Sequence, residues 1–284
     1  MTDKMMALID GSDYARSVCE HAAWIAGRTG LAVELVHVLG RRETGGRTDL
    51  SGSISLGART ALLEELSRLD EQRAQLVTRR GRMILDDARA ILAEAGVERA
   101  SVNLRHGDLL ETLADLEPQA AMVLIGKRGE AADFARGHLG SNLERVVRAT
   151  RKPLFVANRA FKPINRVLIA YDGGPAAMKA IDHVSRSRLF ADLEIRIVTV
   201  GKSGAAAERG LADARAALAA AGLTADTALL PGEPAAVLGP LVEDEGFDMV
   251  VMGAYGQGRL HHLFVGSTTT EMIRACKVPL LLLH

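Results

Sequence analysis

The chain has 284 residues, 48% of them hydrophobic and 25% charged, a composition of folded domains that excludes a disordered tail. At ~150 residues per domain this length predicts about two domains. Lys plus Arg number 35 and Asp plus Glu 35, and aromatics make up 4%, so neither the cationic excess nor the stacking platforms of a nucleic-acid binder are present.

The first apolar run, Met5-Met6-Ala7-Leu8-Ile9, has strand length and ends in Asp10-Gly11. It is too short for a signal-peptide core, and no run reaches the ~18 residues of a membrane span. Only two cysteines occur, Cys19 and Cys276, in no CxxC spacing, which points away from a disulfide scaffold and toward a reducing compartment. A cytoplasmic protein is expected, with neither membrane nor nucleic acid as partner. Helical spacing follows at Ala15, Cys19 and Ala22, which makes Cys19 a core residue rather than a reactive thiol. A strand over Val33–Val38 comes next. Gly40 to Arg80 then reads as a Gly/Ser-rich loop and a charged helix with Leu62, Leu66 and Leu69 on one face, a lid or contact arm. Beyond it lie an apolar strand ending at Gly126, the turn Gly126-Lys127-Arg128-Gly129, a second turn Gly140-Ser141 that opens a helix, and a strand after Pro153.

After a polar linker, Ala157 to Pro163, the order begins again. Val167-Leu168-Ile169-Ala170-Tyr171-Asp172-Gly173 repeats the opening strand, with Asp172 162 residues after Asp10. Ala177, Ile181 and Val184 repeat the helical face, and Leu193–Val200 repeats the second strand. Gly253 follows Gly126 by 127 residues, and Gly266 and Pro279 follow Gly140 and Pro153 by 126. The first copy therefore holds about 36 extra residues, the difference between the offsets 162 and 126, within 40–80. In the second copy the strands are expected at 164–171, 192–200, 224–230, 247–253 and 278–283. Strands alternating with helices predict α/β domains with a parallel sheet covered on both faces, one over residues 1–160 and one over 161–284. The terminal strands at Phe155 and Leu280 are candidates for pairing the two sheets edge to edge into an internal pseudo-dimer. Nothing in the sequence fixes whether two chains form a homodimer, or which protein is a partner.

Ligands of open parallel sheets bind beyond the carboxyl ends of the strands. The residues there are Asp10 and Asp172, the glycine turns, and the helix starts at Ser141, Ser267, Thr268 and Thr269. Glycines let a backbone approach an anion closely, and helix N-terminal amides point at it. Simpler roles stand beside this one: Ser141 with Glu144 and Thr268 with Glu271 fit capping boxes, and Asp before Gly fits an ordinary turn. Gly201-Lys202-Ser203 is no P-loop, because Arg196 occupies the position of its first glycine. His261-His262 are adjacent and do not form a helical metal pair, while His106 is a candidate for the mouth of the first site. No general base, nucleophile or paired carboxylate is identifiable.

Gly253-x2-Gly256-x9-Gly266-Ser267 resembles the nucleotide-binding signature of the universal stress protein family, and Gly126-x2-Gly129-x10-Gly140-Ser141 resembles it with one residue more. The resemblance runs through nearly the whole chain as two tandem domains. It implies a flavodoxin-like (adenine nucleotide alpha hydrolase-like) fold of five parallel strands between helices, binding ATP or AMP, with Mg²⁺ accompanying ATP, in a stress-response role. Carried over residue by residue, Asp10 and Asp172 hold the adenosine end, and the backbone at Val38 and Val200 meets adenine. Gly126, Gly129, Gly140 and Ser141, or Gly253, Gly256, Gly266, Ser267 and Thr268, hold ribose and phosphates. Lys127 and Arg128 supply positive charge or are simply solvated. Asn142 stands where the second copy has a hydroxyl, and Gly173-Gly174-Pro175 replaces Gly11-Ser12-Asp13. With no base assigned, any ATP hydrolysis is expected to be slow. An enzyme that hydrolyses ATP slowly or transfers a nucleotidyl group, and a scaffold acting only through protein contacts, are the alternatives.

Overall fold

The computed structural model describes residues 3–40, 56–129, 141–254 and 267–284. The first half runs β1 (Lys4–Leu8), α1 (Tyr14–Thr29), β2 (Ala32–Leu39), α2 (Leu56–Glu94), β3 (Ala100–His106), α3 (Leu109–Leu116), β4 (Met122–Gly126), α4 (Ser141–Ala149) and β5 (Leu154–Ala157). The second runs β6 (Arg166–Ala170), α5 (Pro175–Arg186), β7 (Glu194–Val200), α6 (Ala205–Ala220), β8 (Ala225–Leu230), α7 (Pro234–Asp244), β9 (Met249–Gly253), α8 (Ser267–Ala275) and β10 (Leu280–Leu283). The observed strands of the second half lie inside the expected ones. The outlying apolar residues Ile164 and Phe247 are buried without being paired.

All ten strands form one sheet in the order β3-β2-β1-β4-β5-β10-β9-β6-β7-β8. Within each half every pairing is parallel. The halves join where β10 pairs β5 antiparallel, Leu280 with Val156, Leu281 with Phe155 and Leu282 with Leu154. The expected edge pairing of these strands is therefore realised. Because the joint is antiparallel, the carboxyl ends of the first five strands and those of the last five lie on opposite rims of the sheet.

Both faces are buried, which is why the strands read as continuous apolar runs. Side chains alternate: Met5 and Ala7 face one core, Met6 and Leu8 the other. The first core takes its helical cover from α1, α2, α5 and α6, with Cys19, Leu92, Ile181 and Leu218 in it. The second takes it from α3, α4, α7 and α8, with Leu113, Val146, Val242 and Ile273. Each core is continuous through both halves.

The extra residues of the first copy yield a longer helix than expected. From Leu56, α2 continues without a break for 39 residues to Glu94. Its C-terminal part is docked: Leu85, Ala88 and Leu92 are buried, and at Gly81 a Cβ would stand 2.9 Å from a Leu104 methyl and 3.1 Å from one of Leu39. Those neighbours belong to the carboxyl-terminal stretches of β2 and β3. From residue 63 to residue 80 no side chain is buried, so α2 continues past the first rim as an arm.

Candidate functional site

In both halves the chain breaks direction after the first strand in the same way. Ile9 N–H donates to the Val36 carbonyl at 2.8 Å, and Tyr171 N–H donates to Val198 at 2.9 Å, extending the strand pairing by one residue. The aspartate that follows then accepts from the amide two residues on: Ser12 N–H to Asp10 Oδ1 at 3.1 Å, Gly174 N–H to Asp172 Oδ1 at 2.8 Å. Ser12 also donates its hydroxyl to Asp10 Oδ1 at 2.5 Å, a bond that Gly174 has no side chain to make. Each carboxylate thus holds an Asx turn with one oxygen, so the simple turn role is real at both positions.

The glycine turns fold back onto these first turns. A Cβ on Gly126 would lie 2.7 Å from Tyr14 Cβ, and one on Gly253 would lie 2.7 Å from Ala176 Cβ. Tyr14 and Ala176 are themselves 162 residues apart, so the contact is repeated. A Cβ on Gly129 would fall 2.8 Å from Asp10 Oδ2. The backbone of the first turn therefore reaches the carboxylate after β1 because no side chain intervenes. This brings Asp10, Gly126 and Gly129 together, and Asp172 and Gly253 take the matching places on the other rim. Val38, next to last in β2, and Val200, the last residue of β7, stand half-buried on the neighbouring strands. Gly140, Gly256, Gly266 and the pair His261-His262 lie outside the described residues. Ser141 and Ser267 are the first residues of α4 and α8.

Some side chains serve purposes the sequence did not disclose. Glu144 accepts from Arg148 at 2.5 Å, one turn along α4. Thr268 is half-buried, and its neighbour Thr269, buried, donates to the Ala254 carbonyl at 2.6 Å and ties the start of α8 to the turn after β9. His37 Nδ1 donates to the Ile9 carbonyl at 2.7 Å, and Thr199 Oγ1 does the same to Tyr171 at 2.7 Å. These two residues share the 162-residue offset, and that coincidence was the available signal for a role at the strand ends.

Lys127 requires a correction as a candidate cation for phosphate. Its ammonium donates across the joint to the carbonyls of Cys276 at 2.6 Å and Arg274 at 3.3 Å, at the C-terminal end of α8. Burial pulls its pKa below the ordinary lysine value. The group satisfies a helix terminus of the other half. His106 ends the outermost strand β3, exposed and two strands from β1. Arg145 instead stands near that rim, bonded at 2.7 Å to Asp108, the N-cap of α3. Its guanidinium and the Leu110 amide hold the Asp108 carboxyl below the usual range.

Cys19 and Cys276 are buried and free. Burial raises their thiols to about 12 and about 11, as suits core residues and not nucleophiles. Among the described residues no cluster of His, Cys, Asp or Glu is placed to hold a metal ion, and no helix is long and apolar enough to cross a membrane.

A profile of the universal stress protein family matches the chain twice, over residues 1–158 and again over 163–284. The chain belongs to the universal stress protein family. The universal stress protein Slr1230 of Synechocystis sp. is 37% identical over 276 residues, 96% of each chain. Among solved structures, a universal stress protein from Archaeoglobus fulgidus covers all of this chain and 96% of its own, with a TM-score of 0.73 at 18% identity. One from Pseudomonas aeruginosa covers 99% of this chain and 93% of its own, with a TM-score of 0.60 at 14% identity. These likenesses fix the tandem fold. A further universal stress protein, solved in complex with cAMP, covers 43% of this chain at 22% identity and a TM-score of 0.38, and at that level decides nothing about this chain.

Proposed function

We propose that this universal stress protein binds an adenine nucleotide, ATP or AMP, on each rim and works as a cytoplasmic stress-response regulator. The observation that carries the reading is the repetition at matched positions of three features: a turn carboxylate, a glycine packed against the helix after it, and a helix N-terminus. A pocket for an adenosine phosphate needs acceptors at the sugar end and unhindered amides at the anionic end. Asp10 with Val38, and Asp172 with Val200, would hold the adenosine. Gly126, Gly129, Gly140 and Ser141 on one rim would hold ribose and phosphates, as would Gly253, Gly256, Gly266, Ser267 and Thr268 on the other. The close approach of Gly129 to Asp10 and the starts of α4 and α8 at Ser141 and Ser267 fit such a group. With Lys127 turned away, positive potential comes from helix amides and, on the first rim, Arg128. Mg²⁺ would arrive with ATP. No residue is assigned a catalytic step, so hydrolysis is expected to be slow.

Mass spectrometry of the supernatant from denatured purified protein should release AMP or ATP. Calorimetric titration of stripped protein should give two sites per chain. Asp10→Ala and Asp172→Ala should each remove or weaken one of them, by about tenfold or more for a lost charge-assisted contact. Absence of bound nucleotide, of binding heat and of any thermal shift with ATP or AMP would overturn the reading in favour of a contact-only scaffold. Rapid multiple turnover with Mg²⁺ that collapses in either variant would make the protein an enzyme instead.

A further inference from the structure

The arm of α2 is unusual for a helix in this fold because it continues past the sheet that supports it. Its equivalent in the second half, α6, has 16 residues and ends its N-terminus near the rim. From Leu56 to Arg80 the arm spans ~37 Å at 1.5 Å per residue. It carries large apolar side chains into solvent: Leu63 is 46% exposed, Leu69 54%, Leu76 66% and Met83 59%. Leu69, Leu76 and Met83 recur every seven residues, the spacing of a coiled-coil seam, and Leu66 stands three residues before Leu69. At 100° per residue this line lies well round the helix from Leu85, Ala88 and Leu92, which dock on the sheet. It is therefore a second apolar face, not a continuation of the core.

Charge is divided along the same stretch. Glu64, Glu65, Asp70 and Glu71 occupy the outer part against two cations, Arg59 and Arg68, while Arg73, Arg79, Arg80 and Arg82 occupy the inner part with no acid between them. The helix macrodipole does not account for this, because its influence is confined to terminal turns and α2 continues to Glu94. Two arms laid side by side in the same direction would set acid on acid and arginine on arginine. Laid in opposite directions, they set each acidic part on the other's basic part. Such an arrangement is two-fold symmetric and closed, and it buries the leucine line of both arms, with the aliphatic stems of Arg73 and Arg80 beside the leucines.

We infer that the α2 arm is a dimerisation element that pairs with the arm of a second copy of this chain as an antiparallel two-stranded coiled coil. The inference is independent of nucleotide binding. Analytical ultracentrifugation of the full chain over a concentration series should show a monomer–dimer equilibrium that weakens with salt. Leu69→Glu with Leu76→Glu, both at exposed positions, should leave the melting temperature in place and weaken association by more than about tenfold.

Charge reversal supplies a second test that does not touch the leucines. The set E64K/E65K/D70K/E71K and the set R73E/R79E/R82E should each be monomeric alone and should associate when mixed. Direction is read by oxidative crosslinking, in which Cys19 and Cys276 do not compete because they are buried. A mixture of Glu65→Cys and Arg79→Cys proteins should form the mixed disulfide, and Glu65→Cys alone should not crosslink. A chain that stays monomeric throughout the series, a dimer unaffected by the leucine and charge variants, or ready crosslinking of Glu65→Cys to itself would overturn the inference.

Discussion

At the residue scale, the glycines that look most like ligand contacts are also packing devices. Gly253 is confined by Ala176 Cβ at 2.7 Å and by main-chain atoms of Ala176 and Ala177 at 3.0 and 3.1 Å from where a Cβ would be. Backbone cannot give way as a side-chain tip does, so Gly253→Ala is expected to cost about 1–3 kcal/mol in urea denaturation, with or without nucleotide. A stability loss seen only when nucleotide is present would assign the glycine to ligand contact alone. His21 shows how burial acts on a titrating group. It is fully buried against Phe155 and Phe161, with Nδ1 donating to the Ser17 carbonyl at 2.7 Å, and burial lowers its pKa to about 4. The folded-state value lies below the unfolded one, so the unfolded chain takes up the proton first. The contribution of neutral His21 is thus full above about pH 6.5 and declines as pH falls toward 4, by on the order of 3 kcal/mol. Denaturation measured across that window should show a shallower pH dependence in His21→Leu than in the parent chain.

At the scale of elements, Lys127 is the clearest bridge between the halves, linking the turn after β4 to the end of α8. Removing its ammonium leaves two carbonyls at a helix terminus without that donor, so Lys127→Met is expected to lower stability by about 1–2 kcal/mol, read as a shift in denaturation midpoint. No midpoint shift would mean that solvent replaces the bond at no cost. The sequence disclosed most of the element order because burial on two faces writes an uninterrupted apolar run for every central strand, and because the same order is written twice. Asp10 and Asp172, Gly126 and Gly253 were legible for that reason. The destination of Lys127 was not, since it is set by residues about 150 positions away in another half. Nor was the unbroken length of α2 or its departure from the sheet, since Leu62, Leu66 and Leu69 have the same spacing as the docked face Ala15, Cys19 and Ala22 while no side chain from 63 to 80 is buried. Glu144 matches a capping pattern by spacing, and it also accepts from Arg148 one turn further on, a pairing that the capping pattern alone does not report.

Across the whole molecule, the joint between β5 and β10 makes ten strands one sheet and lets each core run through both halves. Unfolding one half would strip the cover from the other half's innermost strand, so the chain is expected to unfold in a single cooperative step. Trp24, the one tryptophan of the chain, sits in the first half and reports on that half alone, whereas far-ultraviolet circular dichroism reports on both. Their denaturation curves should superimpose. A tryptophan transition that precedes or follows the loss of helix would show that the halves melt separately. The same joint sets which way the two rims face. The two candidate sites lie on opposite rims, so no single small ligand would touch both, and a partner clasping one would leave the other unobstructed. Under the proposed function, whatever reads this protein would meet two independently addressable ends, and a message between them would have to cross the shared sheet and its cores.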